Sequence, residues 1–258
     1  MYELTIGHFY PDLLNTYGDM GNIIALKRRS EWRGIKVTVK PIGLGDEFKS
    51  EEYDLVFLGG GQDFEQEIIQ EDFLENKGKE LRKAIENNLV VLAVCGGYQL
   101  LGKFYRTANG KEIAGLGALD VWTIAGRKRM VGNILIESEL LEKVGYDGKI
   151  VGFENHSGKT YLGPEVKPLG RVIYGYGNNG EDNFEGAVYK NVIGTYLHGS
   201  VLPKNPGLAD YLLTLALKKK YPGFLGLQKL NDDYETMVRR KLISRLSGKR
   251  HWLLKRFF

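Results

Sequence analysis

Residues 88–104 read N-L-V-V-L-A-V-C-G-G-Y-Q-L-L-G-K-F, and the character of the chain changes halfway through them. Residues 89–94 form an unbroken apolar run, short and rich in β-branched side chains, which is the pattern of a strand buried on both faces. The run stops at Cys95-Gly96-Gly97, and beyond it Tyr98, Leu101 and Phe104 fall on one face of a helix. Strand, tight glycine turn and helix is the local context that holds an exposed nucleophile in α/β enzymes. The nucleophile here would be Cys95, the one cysteine of the chain. A thiol at a helix N-terminus meets the positive end of the dipole, which favours the thiolate. The next backbone N–H groups, of Gly96 and Gly97, point to where an oxyanion would form. The alternative is a small buried hydrophobe, a common fate for a single cysteine. Two flanking glycines, which packing alone does not require, argue against it.

Outward from this turn the alternation repeats. Residues 3–9 read as a strand, followed by the loop Y-P-D-L-L-N-T-Y-G-D-M-G and a helix over 22–32 that Gly34 stops. Residues 35–40 alternate as a strand should. Residues 53–58 are a second buried-type strand, running into Gly59-Gly60-Gly61-Gln62-Asp63. Residues 64–87 read as an amphipathic helix with a break near Gly78. Strands alternating with helices predict a parallel sheet covered on both faces, with functional loops at the carboxyl ends of its strands. G-G-G-Q-D and C-G-G-Y-Q both sit at such ends.

After Lys111 the texture becomes β-rich. Short strands are expected over 119–125 and 133–138, with Arg127-Lys128-Arg129 in the turn between them. Residues 150–154 lead into a Gly/Ser turn, Asn155-His156-Ser157-Gly158, and the Gly-rich stretch 175–180 reads as a surface loop. Residues 185–189 and 192–197 pair as a hairpin across Lys190-Asn191, and the second strand delivers His198-Gly199-Ser200. Pro206 opens a helix to about residue 219. A last helix over 232–246 carries Tyr234, Val238, Leu242 and Leu246 as a packing stripe. The expected architecture is one α/β domain over residues 1–258, with a parallel sheet, a β-rich second half and C-terminal helices.

Composition narrows the function. At 258 residues and 43% hydrophobic the chain can bury a full core. One cysteine excludes a disulfide framework and fits a reducing compartment. The N-terminus starts at once with a strand, and no apolar run approaches the ~20 residues that span a bilayer. A cytoplasmic protein is expected. A net charge of +4 without an aromatic-basic recognition motif gives no reason to expect nucleic acid. No His/Asp/Glu pair falls at metal-ligand spacing, so no metal is expected. Residues 247–258, ending K-R-H-W-L-L-K-R-F-F, read as a flexible basic tail. Three roles stay open for it: a disordered end, weak contact with an anionic membrane surface through Trp252, Phe257 and Phe258, or docking onto a partner.

Of the four histidines, His198 has the best context as the base that would activate Cys95, because a buried-type strand ends beside it. A thiol at one strand end and an imidazole at another is the spatial arrangement that Cys–His catalysis uses. His156 is the second candidate. His8 ends the first strand and His251 lies in the basic tail. Arg129 could bind a carboxylate bidentately, or its basic tract could be a solvated turn.

Together, V-L-A-V-C-G-G-Y-Q-L-L-G, G-G-G-Q-D and Y-L-H-G resemble the class I glutamine amidotransferases in their cobyric acid synthase-like branch. The opening F-Y-P-D-L-L-N-T-Y-G-D-M-G-N and the overall length narrow the resemblance to the glutaminase subunits of lipid II isoglutaminyl synthases. The resemblance implies that Cys95 attacks the side-chain amide of L-glutamine and releases ammonia, with His198 moving the proton. It implies oxyanion donors from Gly96 and the Gly60-Gly61 turn, and a grip on glutamine by Gln99 and Arg129. It implies no cofactor in this chain. ATP and Mg would belong to a Mur-ligase-like partner, of the MurT type, that forms a heterodimer with it and amidates the α-carboxyl of D-glutamate in lipid II. One departure stands out. Many class I members follow the histidine with Pro-x-Glu-type spacing, so that a glutamate orients it, whereas His198 is followed by Gly199 and Ser200. Another group of this chain, or one from the partner, would have to replace it. The rival readings are cobyrinate amidation, a cysteine hydrolase or peptidase on the same turn, and a non-catalytic binding module.

Overall fold

The computed structural model describes residues 1–254, with side chains to Gly248. Its first sheet holds six strands: β1 (Glu3–Phe9), β2 (Lys36–Ile42), β3 (Leu55–Leu58), β4 (Val90–Val94), β11 (Ala187–Tyr189) and β12 (Val192–Thr195). Their order is β11-β12-β4-β3-β1-β2, parallel throughout except for the β11–β12 hairpin at the edge. The expected parallel sheet is present. Every residue of β3, β4 and β12 is buried, as continuous apolar runs require when helices cover both faces. Alternation along β4 sorts its side chains between the two layers. Val90, Leu92 and Val94 pack with Ile23 and Leu26 of α1 (Met20–Glu31) and with α7 (Pro206–Lys220). Leu89, Val91 and Ala93 face Ile69 of α2 (Asp63–Glu71), Leu81 and Ile85 of α3 (Lys79–Glu86) and Tyr98 of α4 (Gly96–Leu101). The break expected near Gly78 is a π-helical stretch over Asp72–Gly78 between α2 and α3.

The β-rich half differs from its expected outline. Two short strands and a basic turn are in fact one strand, β7 (Val121–Glu137). The supposed Gly/Ser turn lies within its partner, β8 (Lys149–Leu162). These pair antiparallel over nearly their whole length, with a register shift between Ala125 and Met130. Arg127-Lys128-Arg129 is therefore an irregularity inside a ladder, which re-aims side chains without ending the strand. β5 (Phe104–Arg106), β6 (Glu112–Ala114), β9 (Gly170–Tyr174) and β10 (Phe184–Glu185) complete the second sheet. The loop over 175–180 is only partly at the surface, because Asn178 and Asn179 are buried.

Two short helices, α5 (Glu139–Glu142) and α6 (Val201–Lys204), precede α7, and α8 runs Asp233–Leu254, past the end expected at Leu246. Only the later part of its stripe packs: Leu242 and Leu246 meet Leu135 and Val151, while Tyr234 and Val238 are exposed. The last residues of the expected tail, 255–258, and the side chains of Trp252, Phe257 and Phe258 lie outside the described residues. Among the described residues, no helix is long and apolar enough to cross a membrane.

A buried charge cluster ties the helices on one face together. Arg29 of α1 donates to both oxygens of Asp210 of α7, at 2.7 and 2.8 Å, and to both oxygens of Asp232, at 2.6 and 2.9 Å. Arg33 adds a bond to Asp210 at 2.7 Å. Burial opposes the Arg29 charge, but the hydrogen bonds to the two carboxylates outweigh it and keep the guanidinium protonated. Removing one partner from such a cluster leaves a charge uncompensated in low dielectric. Asp210→Ala is expected to lower unfolding free energy in urea by roughly 3–5 kcal/mol. A loss below about 1 kcal/mol would mean that the cluster behaves as a solvent-screened surface pair.

Candidate active site

Cys95 occupies the turn between β4 and α4 with φ 51° and ψ −105°, a region that a non-glycine residue rarely enters. The turn is locked by its neighbours. Cys95 N–H donates to Thr195 O on β12 at 2.8 Å, and Gly97 N–H to Gly59 O at the end of β3 at 3.0 Å. Glycine is required where these backbones cross. A Cβ on Gly96 would sit 2.7 Å from the N and O of Gly61, and one on Gly97 would sit 2.8 Å from Leu58 O.

His198 follows β12 and is held by the backbone of β8, donating its N–H to Phe153 O at 2.8 Å. Its side chain is fully buried. Burial pulls its pKa down, but the Cys95 thiolate and the Asp19 carboxylate raise it to about 10. The three groups converge beside Gly60. A Cβ placed there would lie 3.0 Å from His198 Cε1, 3.1 Å from Asp19 Oδ2 and 3.5 Å from Cys95 Cβ. Cys95 is partly exposed, on the wall of a cleft of about 520 Å³ that Tyr17, Gly61, Gln99, Arg129, Asn155 and His156 also line.

The amides named as oxyanion donors divide into two kinds. Gly97 N–H is committed to Gly59, and Gly60 N–H is donated to Asp19 Oδ2 at 2.6 Å. Gly61 N–H and Gly96 N–H have no acceptor among the described residues, and Gly96 stands at the first helical position, where none is available within the helix. The pair free to meet an oxyanion is therefore Gly61 and Gly96.

The polar wall is tied internally. Gln99 accepts from Gln66 Nε2 at 2.8 Å and donates to Tyr196 Oη at 3.1 Å, so both ends of its amide are engaged. Arg129 donates to Asn155 Oδ1 at 2.6 Å and to Tyr17 Oη at 3.1 Å, across the mouth of the cleft. Asn155 also donates to Tyr17 Oη, at 2.6 Å. His156 stacks flat on Tyr196, with ring centroids 3.7 Å apart, and its Nδ1 bonds Gly158 O at 2.8 Å. Burial lowers its pKa to about 4, so it is neutral at pH 7 and belongs to the wall. His8 is buried against Phe57. Among the described residues, no cluster of three His, Cys, Asp or Glu side chains could hold a metal ion.

Residues 5–206 match the model of the CobB/CobQ-like glutamine amidotransferase domain. The chain belongs to that family. Lipid II isoglutaminyl synthase (glutamine-hydrolyzing) subunit GatD of Streptococcus pneumoniae is 49% identical over 232 residues, covering 90% of this chain and 87% of that one. The GatD subunit of Staphylococcus aureus is 45% identical over 245 residues, covering 95% and 97%. These matches run nearly end to end and put the amidotransferase in the GatD branch. A probable cobyric acid synthase of Methanothermobacter thermautotrophicus is 32% identical, but the match covers only 42% of that longer protein. The crystal structure of a glutamine amidotransferase from Thermotoga maritima shares the fold, with a TM-score of 0.54 at 17% identity, covering 99% of this chain and 98% of that one.

Sequence reasoning singled out Cys95, His198, Arg129, Gln99 and the glycines of both turns, and all of them border one region of the amidotransferase. It passed over Asp19, Tyr17 and Asn155. Tyr17 and Asp19 lay in a quoted loop, but nothing in that loop's composition says which side chain turns inward.

The strain at Cys95 is testable without turnover. A residue held at positive φ stores about 1–3 kcal/mol, which glycine relieves and alanine does not. Cys95→Gly is expected to be more stable than Cys95→Ala by about 1 kcal/mol in urea denaturation, after glycine's extra unfolded-state entropy is set against the relief. The reverse order would contradict a strained elbow.

Proposed function

We propose that this amidotransferase hydrolyses L-glutamine through a thioester on Cys95 and delivers the ammonia to an ATP-dependent, Mur-ligase-like partner of the MurT type. That partner would amidate the α-carboxyl of D-glutamate in lipid II. The observation that carries the reading is the convergence of a thiol on a strained elbow and a buried imidazole beside Gly60. The end-to-end likeness to GatD subunits supports the product. Cobyrinate amidation is less well supported, because the chain spans under half of the cobyric acid synthases it resembles.

In the proposed reaction His198 takes the Cys95 proton and the thiolate attacks Cδ of glutamine. The tetrahedral oxyanion lies between Gly61 N–H and Gly96 N–H, donors each worth about 3–4 kcal/mol in comparable sites. The C–N bond breaks as His198 returns the proton to the leaving nitrogen, which departs as ammonia. Water, deprotonated by the same imidazole, attacks the γ-glutamyl thioester and frees glutamate and the thiol. Arg129 lies at the cleft mouth and would exchange its bonds to Asn155 and Tyr17 for the substrate α-carboxylate, as a bidentate fork. Gln99, already bonded at both ends, would shape the wall and hold it still. ATP and Mg would belong to the ligase half of a heterodimer that works in the cytoplasm.

Cys95→Ala is expected to abolish glutamine hydrolysis with the fold intact, and retained ammonia release would overturn the proposal. His198→Ala is expected to lower turnover by about 10²–10⁴, since an unactivated thiol is only a few per cent ionised at pH 7. A normal rate of thioester formation in that variant would transfer the base role to another group. Arg129→Lys replaces a fork with a point charge and is expected to raise KM for glutamine about tenfold with kcat little changed. Unchanged constants would return the basic tract to a structural role.

A further inference from the structure

We infer that Asp19 is the positioning carboxylate of His198, filling from the N-terminal loop the place that the Gly199-Ser200 sequence leaves vacant. The inference rests on the reading of Cys95 and His198 as the catalytic pair. Asp19 is fully buried, and among the described residues it is the carboxylate within 4 Å of the His198 imidazole. Its Oδ1 lies 3.9 Å from His198 Nδ1, an ion-pair separation beyond hydrogen-bond range. Catalytic bonds are often this long before substrate binds, and tighten in the reacting complex. Both partners are available for that. Asp19 Oδ1 and the two ring nitrogens of His198 make no hydrogen bond among the described residues.

The loop that carries Asp19 is built to hold it there. Gly60 N–H donates to Asp19 Oδ2 at 2.6 Å, and Thr16 N–H donates to Gly60 O at 3.0 Å, so the loop and the glycine turn grip each other in both directions. Ser200 Oγ, two residues past His198, donates to Gly18 O at 2.5 Å. Asn22 Oδ1 accepts from Leu202 N at 3.0 Å. The segment after His198, which in relatives with the usual spacing would carry the orienting acid, instead fastens the loop that brings one.

The other charged and titratable groups around the pair do not compete for Nδ1. Glu185 is buried nearby and its charge is felt at His198, but its Oε1 accepts from Thr195 Oγ1 and Tyr196 N, both at 2.7 Å, and although its Oε2 is unbonded, among the described residues the ion pair of His198 is with Asp19. His156 is a neutral neighbour stacked on Tyr196. His8 shares the Asp19 field and is kept neutral by burial. Lys204 Nζ bonds the backbone carbonyls of Gly199 and His198, and Tyr17 presents its ring edgewise to the imidazole at 5.0 Å. With Nδ1 facing Asp19, Nε2 is left for the Cys95 thiol, which is the tautomer that general-base catalysis needs. When Nε2 takes the proton, the positive charge is met by a carboxylate already desolvated and already bonded on its far oxygen.

Asp19→Asn tests this, because the amide keeps an acceptor for Gly60 N–H while removing the charge and presenting a donor to Nδ1. Alkylation of Cys95 by iodoacetamide, followed against pH on the full-length chain, reads the thiolate directly and does not require the partner. The expected result is a loss of about tenfold in alkylation rate at pH 6.5 that closes to within about twofold at pH 10, above the ordinary thiol range. In the complex with the ligase, glutamine turnover is expected to fall about a hundredfold or more in kcat with KM little changed. An Asn variant with the wild-type alkylation profile would overturn the assignment and hand the role to the partner. A loss seen equally at all pH values would also overturn it, since that is what a purely structural Asp19 would produce. Cys95→Ala, run alongside, separates the two readings: if it still hydrolyses glutamine the catalytic pair itself fails, and if it is dead while Asp19→Asn is normal, only the Asp19 assignment fails.

Discussion

The rest of the structure depends on a backbone interlock at the carboxyl ends of three adjacent parallel strands. Gly96 of α4 packs against Gly61 of the turn after β3, Gly97 N–H bonds Gly59 O, and Cys95 N–H bonds Thr195 O on β12. These crossings have no room for a Cβ, so the strained φ of Cys95 is imposed from both sides. The same crossings fix the relative position of everything chemical. β4 presents the thiol, β12 leads to the imidazole, and the turn after β3 contributes the Gly61 amide. A loop-borne site would have to be ordered by substrate. This one is ordered by the sheet.

Neighbouring charges, set against burial, then decide the charge state of each histidine. The two histidines that border the thiol have opposite fates in similarly dry surroundings. His156 stacks on a tyrosine with only a carbonyl for a partner, and burial brings its pKa to about 4. His198 is as buried, yet the thiolate and Asp19 carry it to about 10. An imidazole beside two acidic groups holds its proton more tightly, because each anionic neighbour favours the charged ring. The wall opposite is neutral and hydrogen-bonded throughout, from Gln66 through Gln99 and Tyr196 to Thr160 and Thr123. Arg129 at the mouth is the exception, a cation bonded to Asn155 and Tyr17.

The parallel sheet was legible in the sequence because strands buried on both faces are continuous apolar runs, as β3 and β4 are, and because their ends carry conspicuous glycines. The elbow was legible for the same reason. The β7–β8 ladder was not, since its middle is polar: Arg127-Lys128-Arg129 and Asn155-His156-Ser157-Gly158 look like turns when nothing shows that they pair with each other. Pairing is non-local, and polar residues lining a cleft break the alternation that marks a strand. Gly60 illustrates the limit of reading a glycine turn from composition. Its amide was a natural oxyanion donor until Asp19, far away in sequence, proved to occupy it. Asp19 itself was hidden among other polar residues of a loop, and only the fold turns it inward.

The central claim is that Cys95 is a nucleophile aimed at the γ-carbonyl of glutamine. Incubation of the full-length chain with a diazoketone analogue of glutamine, followed by intact-mass and peptide mass spectrometry, tests it most directly, because the analogue alkylates only a thiolate that its glutamine-like part has placed beside the diazo carbon. The account predicts one adduct per chain, mapped to Cys95, whose formation excess L-glutamine suppresses. An unmodified chain, or an adduct at Cys95 that glutamine does not protect, would contradict it.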